Sequence, residues 1–516
     1  MESPPDHVER VEVIPINGND LTLEQLRAVV YDRQPVGLDP AARRRIAGAR
    51  AAVEALLKGE RVAYAVNTGV GKLSDVRIAP GEIRELQVNL LRSHAAGVGE
   101  PLSEAETRAL VLLRANSLAK GFSGVRPEVV EALCALLNRG VHPVIPSQGS
   151  VGASGDLAPL AHLALVLIGE GEAIHNEQRV AGAEALRRAS LTPLVLEAKE
   201  AISLINGTQA MLAVGALALL EAETLTDSAD VIGSLSLDAL RGTDVAFDAR
   251  IHQARPHAGQ VRVAENLRRM LEGSQIRESH RDCGRVQDAY SLRCIPQVHG
   301  AVRDTLTHCR RIFEIEMNSA VDNPLVFLNP GANAEVLSGG NFHGEPVAMA
   351  LDFLGIALAS LAGISERRVE RLVNPALNEG LPPFLAKHAG LHSGFMMAQV
   401  TAAALASENK VLAHPASVDS ITTSGNKEDY VSMGMAAALK LKRIVANTRN
   451  VLAIEAVAAA QAIDFLAPLA PSPRGQKAHA AIRSVSPAVE QDRVLAADFA
   501  RVAELVRSGK VAAALA

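Results

Sequence analysis

The chain is predicted to fold as a mainly α protein with small pieces of β-structure. Three observations predict this. Long alanine- and leucine-rich segments repeat their apolar residues at intervals of three and four. Strand-like signals are confined to residues 11–16 (VEVIPI) and 62–66 (VAYAV). Glycine and proline gather in discrete loops at 67–74, 94–101, 140–155, 338–346, 373–383 and 421–427.

Taken in order, residues 40–57 open on Asp39-Pro40, a cap followed by a first-turn proline. Residues 103–119 open on Ser103 with Glu106 three positions on, the capping-box pattern. Helices are further expected over 156–169, 208–227, 297–317, 344–372, 395–412, 431–463 and 490–508. The stretch 345–364 is apolar apart from Glu345 and Asp352, but Asp352 would cost a few kcal/mol in lipid. Residues 209–220 are too short to span a bilayer. Both read better as the centre of a large soluble bundle. The polar N-terminus, MESPPDHVER, lacks the apolar run of a signal peptide. A cytoplasmic protein is expected.

With 48% hydrophobic and 21% charged residues, the chain has the composition of a folded globular protein. A net charge of −5 argues against a nucleic-acid coat, and 3% aromatics leave little for stacking bases. Four cysteines without a C-x-x-C provide neither a disulfide framework nor a cysteine zinc site. No metal, nucleic-acid or membrane partner is expected.

Several motifs fail on their own physics. The loop V-N-T-G-V-G-K-L-S at 66–74 has Val66 where a P-loop needs glycine. The loop G-S-V-G-A-S-G-D at 149–156 has Asp156 where a serine nucleophile elbow needs its second glycine. What remains there is Ala153-Ser154-Gly155 before an apolar helix. It reads as a capped helix start, with Ser154 or Asp156 as cap. It also reads as a segment able to cyclise. The nitrogen of Gly155 would attack the carbonyl carbon of Ala153 with loss of water, and Ser154 would lose its hydroxyl as a second water. Gly155 leaves the nitrogen unhindered and permits the compressed backbone. The product would be 4-methylideneimidazol-5-one (MIO), a strong electrophile.

The segment G-S-V-G-A-S-G-D-L-A-P-L-A-H at 149–162 resembles the signature of the MIO-dependent ammonia-lyases of aromatic amino acids, most closely their histidine-specific branch. Six further motifs agree in order and spacing: Y-x-V-N-T-G-x-G-K-L at 64–73, S-H-A-A-G-V-G-E-P-L at 93–102, I-N-G-T-Q at 205–209, Q-D-x-Y-S-L-R-C at 287–294, S-G-G-N-F-H at 338–343 and E-N-K-V-L-A-H-P-A-S-V-D-S-I at 408–421. The resemblance runs from about residue 11 to about residue 510. It implies a long central helical bundle with a smaller N-terminal part that carries short strands and the active-site loops. On this basis residues 1–10 are a polar tail, 11–200 the MIO-bearing part, and 201–516 the bundle and C-terminal helices. A homotetramer with shared active sites is implied, as is MIO formed autocatalytically without external cofactor.

The same resemblance implies roles. Tyr64 is the base that takes the β-proton, and Tyr290 stands near the ring. Arg293 offers the substrate carboxylate a planar two-point donor. Asn206 and Gln287 are polar contacts and Phe342 an apolar wall. Ser93-His94 and Glu428 point to imidazole recognition, since a His or a carboxylate can hydrogen-bond an imidazole nitrogen. The implied reaction is deamination of L-histidine to trans-urocanate and ammonia. The alternative is a tyrosine or phenylalanine lyase, or a 2,3-aminomutase, on the same ring. Three positions depart from the histidine-specific pattern: Tyr430 for a usual His, Ala289 for a usual Pro, and Val70 for a common Phe. They bear on pocket tightness and substrate preference.

The peptide spanning 149–162 of active protein is expected to weigh two water molecules less than its sequence. Peptide mass spectrometry reads this directly, and a full sequence mass would refute the cyclised reading.

Overall fold

A computed structural model describes residues 12–58, 66–329 and 334–516. Among the described residues the chain is mainly α, with nineteen α-helices and nine strands of three or four residues. The capped helices form as their ends dictate. Pro40–Leu57 starts on Asp39, whose carboxylate accepts from the amides of Ala41 and Ala42 at 2.8 and 2.9 Å. Glu104–Ala119 has its complete capping box, with Ser103 and Glu106 each taking the other's amide.

The expected helix over 208–227 runs on as Gln209–Ala239. Polar residues along its second half, among them Thr226, Asp230 and Ser236, are buried and paired inside the protein. The expected helix at 490–508 is shorter, Ala496–Arg507. The chain before it is held as a loop, because the Asp492 carboxylate accepts the amides of Ser393 and Gly394. The helix expected at 431–463 is Gly434–Asp464. Helices at Leu23–Tyr31, Ile83–His94, Pro127–Asn138 and Ala258–Leu271 were not expected. Of the expected strands, 11–16 forms as Ile14–Ile16, paired in parallel with Val36–Leu38. The other, 62–66, lies outside the described residues apart from Val66, as does the tail 1–10.

The chain divides into two compact units. The first comprises residues 1–217, 311–349 and 416–439, and the second 218–310, 350–415 and 440–516. The first holds the short sheets, including a three-stranded antiparallel one built from Val141–Pro143, Glu172–His175 and Gln178–Ala181. The second is dominated by long helices. Gln209–Ala239 and Glu345–Val373 are long and apolar enough to cross a membrane, so the 209–220 stretch is not the short segment it looked. Their most apolar windows are 72% and 61% buried within the protein, and Asp352 pairs with Lys440 at 2.9 Å.

A buried ionic network ties the helices of the second unit together. The Glu455 carboxylate accepts from Arg368 Nε at 2.5 Å and Nη2 at 2.9 Å, and from the hydroxyls of Ser236 and Ser365. Asp230 accepts from His299, Arg303 and Asn266 at 2.8, 2.6 and 2.8 Å. Burying such charges is tolerable only because every carboxylate oxygen is paired. Arg368→Met would leave Glu455 buried without its cation. It is expected to lower stability by about 3–5 kcal/mol, read as a lower midpoint in urea, with Glu455 restored to neutrality by the double variant Arg368→Met/Glu455→Gln.

Candidate active site

The site begins with a backbone contact. Gly155 has φ +69°, and a Cβ there would lie 2.2 Å from the carbonyl oxygen of Gly207. Gly207 has φ +155°, and a Cβ on it would meet Gln209 Oε1 at 2.5 Å and Arg114 Nη1 at 2.6 Å. Only glycine fits either position. The amide of Asp156 donates to Gly207 O at 2.7 Å. Asp156 does not cap the Leu157–Leu167 helix through its side chain, as its sequence position suggests. Its carboxylate instead accepts from Ser150 Oγ and from the amide of Met211, both at 2.8 Å, which joins the loop to the start of Gln209–Ala239. Burial pushes the Asp156 carboxyl up to about 6. This turn, with Gly155 at positive φ against Gly207, is a backbone that fits the cyclised group.

The turn presents Ala153 and Ser154 to a cavity of about 590 Å³ in the first unit. His94, Asn206, Phe342 and Glu428 line the same cavity, each delivered by a different element. His94 ends the Ile83–His94 helix, and its Nδ1 faces the Leu90 carbonyl at 2.8 Å. Burial holds its pKa below the usual imidazole range, against the pull of that carbonyl and of Glu428. A neutral ring with its proton on Nδ1 leaves Nε2 as an acceptor. Asn206 follows the Glu200–Ile205 helix, with its Nδ2 on the Asn323 carbonyl at 3.2 Å. Its Oδ1 is buried with no hydrogen-bond partner among the described residues. Glu428 closes a turn in which its Oε2 accepts from Thr423 and Ser424 hydroxyls, both at 2.7 Å, while Oε1 accepts from Ser154 Oγ at 3.1 Å.

Sequence reasoning assigned no role to Lys72, His343 and Lys427, which line this cavity too. His343 stacks on Tyr430, with centroids 6.1 Å apart and planes 18° apart. Its place in S-G-G-N-F-H was the available signal. Behind Asn206 lies a buried ion pair, Lys199 Nζ to Asp322 Oδ2 at 2.8 Å, for which the sequence carries no signal. Burial opposes ionisation of Asp322, yet the charges of Lys199 and Arg114 hold its carboxyl below the usual range.

Gln287 and Arg293 are not brought to this cavity. They line a separate one of about 420 Å³ in the second unit. Arg293 Cζ sits 4.6 Å from the centroid of the Tyr290 ring, which is 71% exposed. Arg293 Nε is buried with no hydrogen-bond partner among the described residues. Tyr64 lies outside the described residues.

Residues 21–484 match the aromatic amino acid lyases over most of the chain. The chain belongs to the aromatic amino acid lyase family. A histidine ammonia-lyase from Koribacter versatilis (strain Ellin345) is 68% identical over 513 residues, covering 98% of this chain and 99% of that relative. Among solved structures, the histidine ammonia-lyase from Trypanosoma cruzi is 44% identical with a TM-score of 0.90, covering 98% of this chain and 95% of that one. The tyrosine aminomutase from Streptomyces globisporus is 40% identical with a TM-score of 0.92, covering 98% of each chain. The family's backbone thus serves both kinds of enzyme, and side chains must separate them.

The Asp156 carboxyl generates a pH prediction. Its pKa is raised from 3.8 to about 6, so the folded state holds a proton that the unfolded chain releases. Its contribution to stability is full below about pH 4 and is lost as pH rises through about 6, amounting to about 3 kcal/mol. Asp156→Asn is expected to remove that fall, seen by comparing urea midpoints of the two proteins between pH 4 and 7.

Proposed function

We propose that the chain is a carbon–nitrogen lyase that deaminates L-histidine to trans-urocanate and ammonia, using MIO formed from Ala153, Ser154 and Gly155. The observation that carries the substrate choice is that His94 and Glu428 line the cavity into which Ser154 points. Both present acceptors. The histidine ring brings one N–H to them when neutral and two when protonated, the phenol of tyrosine one O–H, and the ring of phenylalanine none. The 68% identity to a histidine ammonia-lyase supports the same substrate.

When formed, the ring supplies an electrophilic carbon that draws electrons from the substrate amine and improves it as a leaving group. The remaining work falls to side chains. Glu428 and His94 hold the imidazole. Asn206, which lines the cavity, is assigned the amino end of the substrate. Phe342 walls the apolar side of the cavity. Tyr64 takes the β-proton as the general base.

Arg293 and Gln287 are assigned the carboxylate and polar end of the substrate, with Tyr290 beside them. In one chain they line a different cavity. The reading therefore has them serve the site of another copy, in a homotetramer of shared active sites. Exposed apolar pairs spaced three apart, Phe353 with Ile356 and Met397 with Val400, support self-association through helices of the second unit. The protein is assigned to the cytoplasm.

Leaving His94 and Glu428 unpaired against phenylalanine costs about 1–3 kcal/mol each. Histidine is therefore expected to exceed phenylalanine by at least about 30-fold in kcat/KM. Glu428→Gln should depress histidine turnover, and His94→Phe should weaken it while admitting an apolar ring. Assays of histidine, tyrosine and phenylalanine side by side decide the point. Equal deamination of tyrosine or phenylalanine would leave only the broader lyase reading.

A further inference from the structure

Glu428 does not meet an empty cavity in the encoded chain; it meets the Ser154 hydroxyl. Ser154 Oγ donates to Glu428 Oε1 at 3.1 Å. The carboxyl cannot swing away, because Oε2 is held by Thr423 Oγ1 and Ser424 Oγ at 2.7 Å each. The Thr423 amide closes the same turn on the Glu428 carbonyl at 2.9 Å. The neighbouring carboxyl, Asp156, is committed elsewhere, one oxygen to Ser150 and the other to the Met211 amide. His94 is tied through Nδ1 to the Leu90 carbonyl. Glu428 is thus the acid–base group seated on the hydroxyl that has to leave.

We propose that Glu428 also serves the chain's own maturation, holding the Ser154 hydroxyl and handing it the proton with which it departs as water. This rests on the ring reading above. The first water comes from the Ala153 carbonyl as Gly155 N bonds to its carbon, a step in which Ser154 Oγ takes no part. In the second, the Ser154 Cα–H bond breaks and its proton passes to Glu428, which accepts hydrogen bonds at both oxygens and so starts as a carboxylate. The electron pair left on Cα forms the Cα=Cβ bond. The Cβ–Oγ bond breaks with its pair on oxygen, and Oγ takes a proton from the Glu428 carboxyl. The Glu428 carboxylate is thereby restored, and the net loss is one water. A serine hydroxyl is a poor leaving group, and a positioned acid accelerates such a departure by about 10²–10⁴-fold. The departure also vacates Oε1, the acceptor that the substrate imidazole then occupies.

Mass spectrometry of the 149–162 peptide tests this without any assay of activity. Wild-type, Glu428→Gln and Glu428→Ala chains would be synthesised afresh and sampled over time. The glutamine keeps the shape of the carboxyl and lacks a transferable proton. The wild type is expected to reach a deficit of two waters. Both variants are expected to accumulate peptide short of one water only, with loss of the second at least about 10²-fold slower. The double variant Thr423→Ala/Ser424→Ala keeps the carboxyl and frees it to swing. It is expected to slow the second loss alone, by about tenfold. Loss of both waters from the Glu428 variants at the wild-type rate would overturn the proposal. So would folded variants, with wild-type helical circular dichroism, that keep the full mass, since the role claimed begins after ring closure. A wild-type peptide of full mass would overturn the ring reading itself, and this proposal with it.

Discussion

Everything at the candidate site depends on two stretches of backbone touching where neither can carry a side chain. Gly155 and Gly207 approach so closely that a Cβ on the first would lie 2.2 Å from the carbonyl of the second. Beside it, the loop is joined to the helix that begins at Gln209 through the Asp156 amide and carboxyl. Arg114, fully buried, supports the contact from behind by donating to the Asn206 carbonyl and to Gln209 Oε1. Burial pulls its pKa down to about 10. The protein therefore accepts two desolvated ionisable groups, Asp156 and Arg114, around one close contact of backbone.

What could be read in the sequence follows from how local the causes are. Asp39-Pro40 and Ser103 with Glu106 are self-contained signals within a single turn, and their helices form where they stand. The continuation of Gln209–Ala239 past Thr226 was not legible, because the partners of Asp230 and Ser236 lie 69 and 219 residues away. The same reason hides the Lys199–Asp322 pair, separated by 123 positions. The cluster of Ser154, His94, Asn206, Phe342 and Glu428 was legible only through family resemblance. Nothing in the spacing of residues 94, 206, 342 and 428 requires them to share a cavity. The side-chain work of Asp156 was misread as a helix cap, since a carboxylate beside a helix start looks the same from the sequence whichever way it turns.

The high structural similarity to a tyrosine aminomutase, TM-score 0.92, sits beside the 68% identity to a histidine ammonia-lyase. The helices and their buried networks therefore constrain the scaffold without choosing the substrate. Choice falls to a few side chains on short connections, which can change without disturbing the long helices. Under the proposed reading His94 and Glu428 are of this kind, one at a helix end and the other in a turn whose residues 424, 425 and 426 all have positive φ. Tyr430, a departure from the histidine-specific pattern, stacks on His343 at the same cavity, so the substitution keeps a planar ring in contact there.

The separation of Arg293 and Gln287 from Ser154 within one chain has a genetic consequence. Under the shared-site reading, a chain that has lost Arg293 still carries an intact turn at 153–155, and a chain that has lost Ser154 still carries an intact Arg293. Two inactive alleles expressed together would assemble some sites from the sound half of each. Damage at one group would then be recessive to damage at the other, and mixed tetramers would recover a fraction of the activity that neither parent retains.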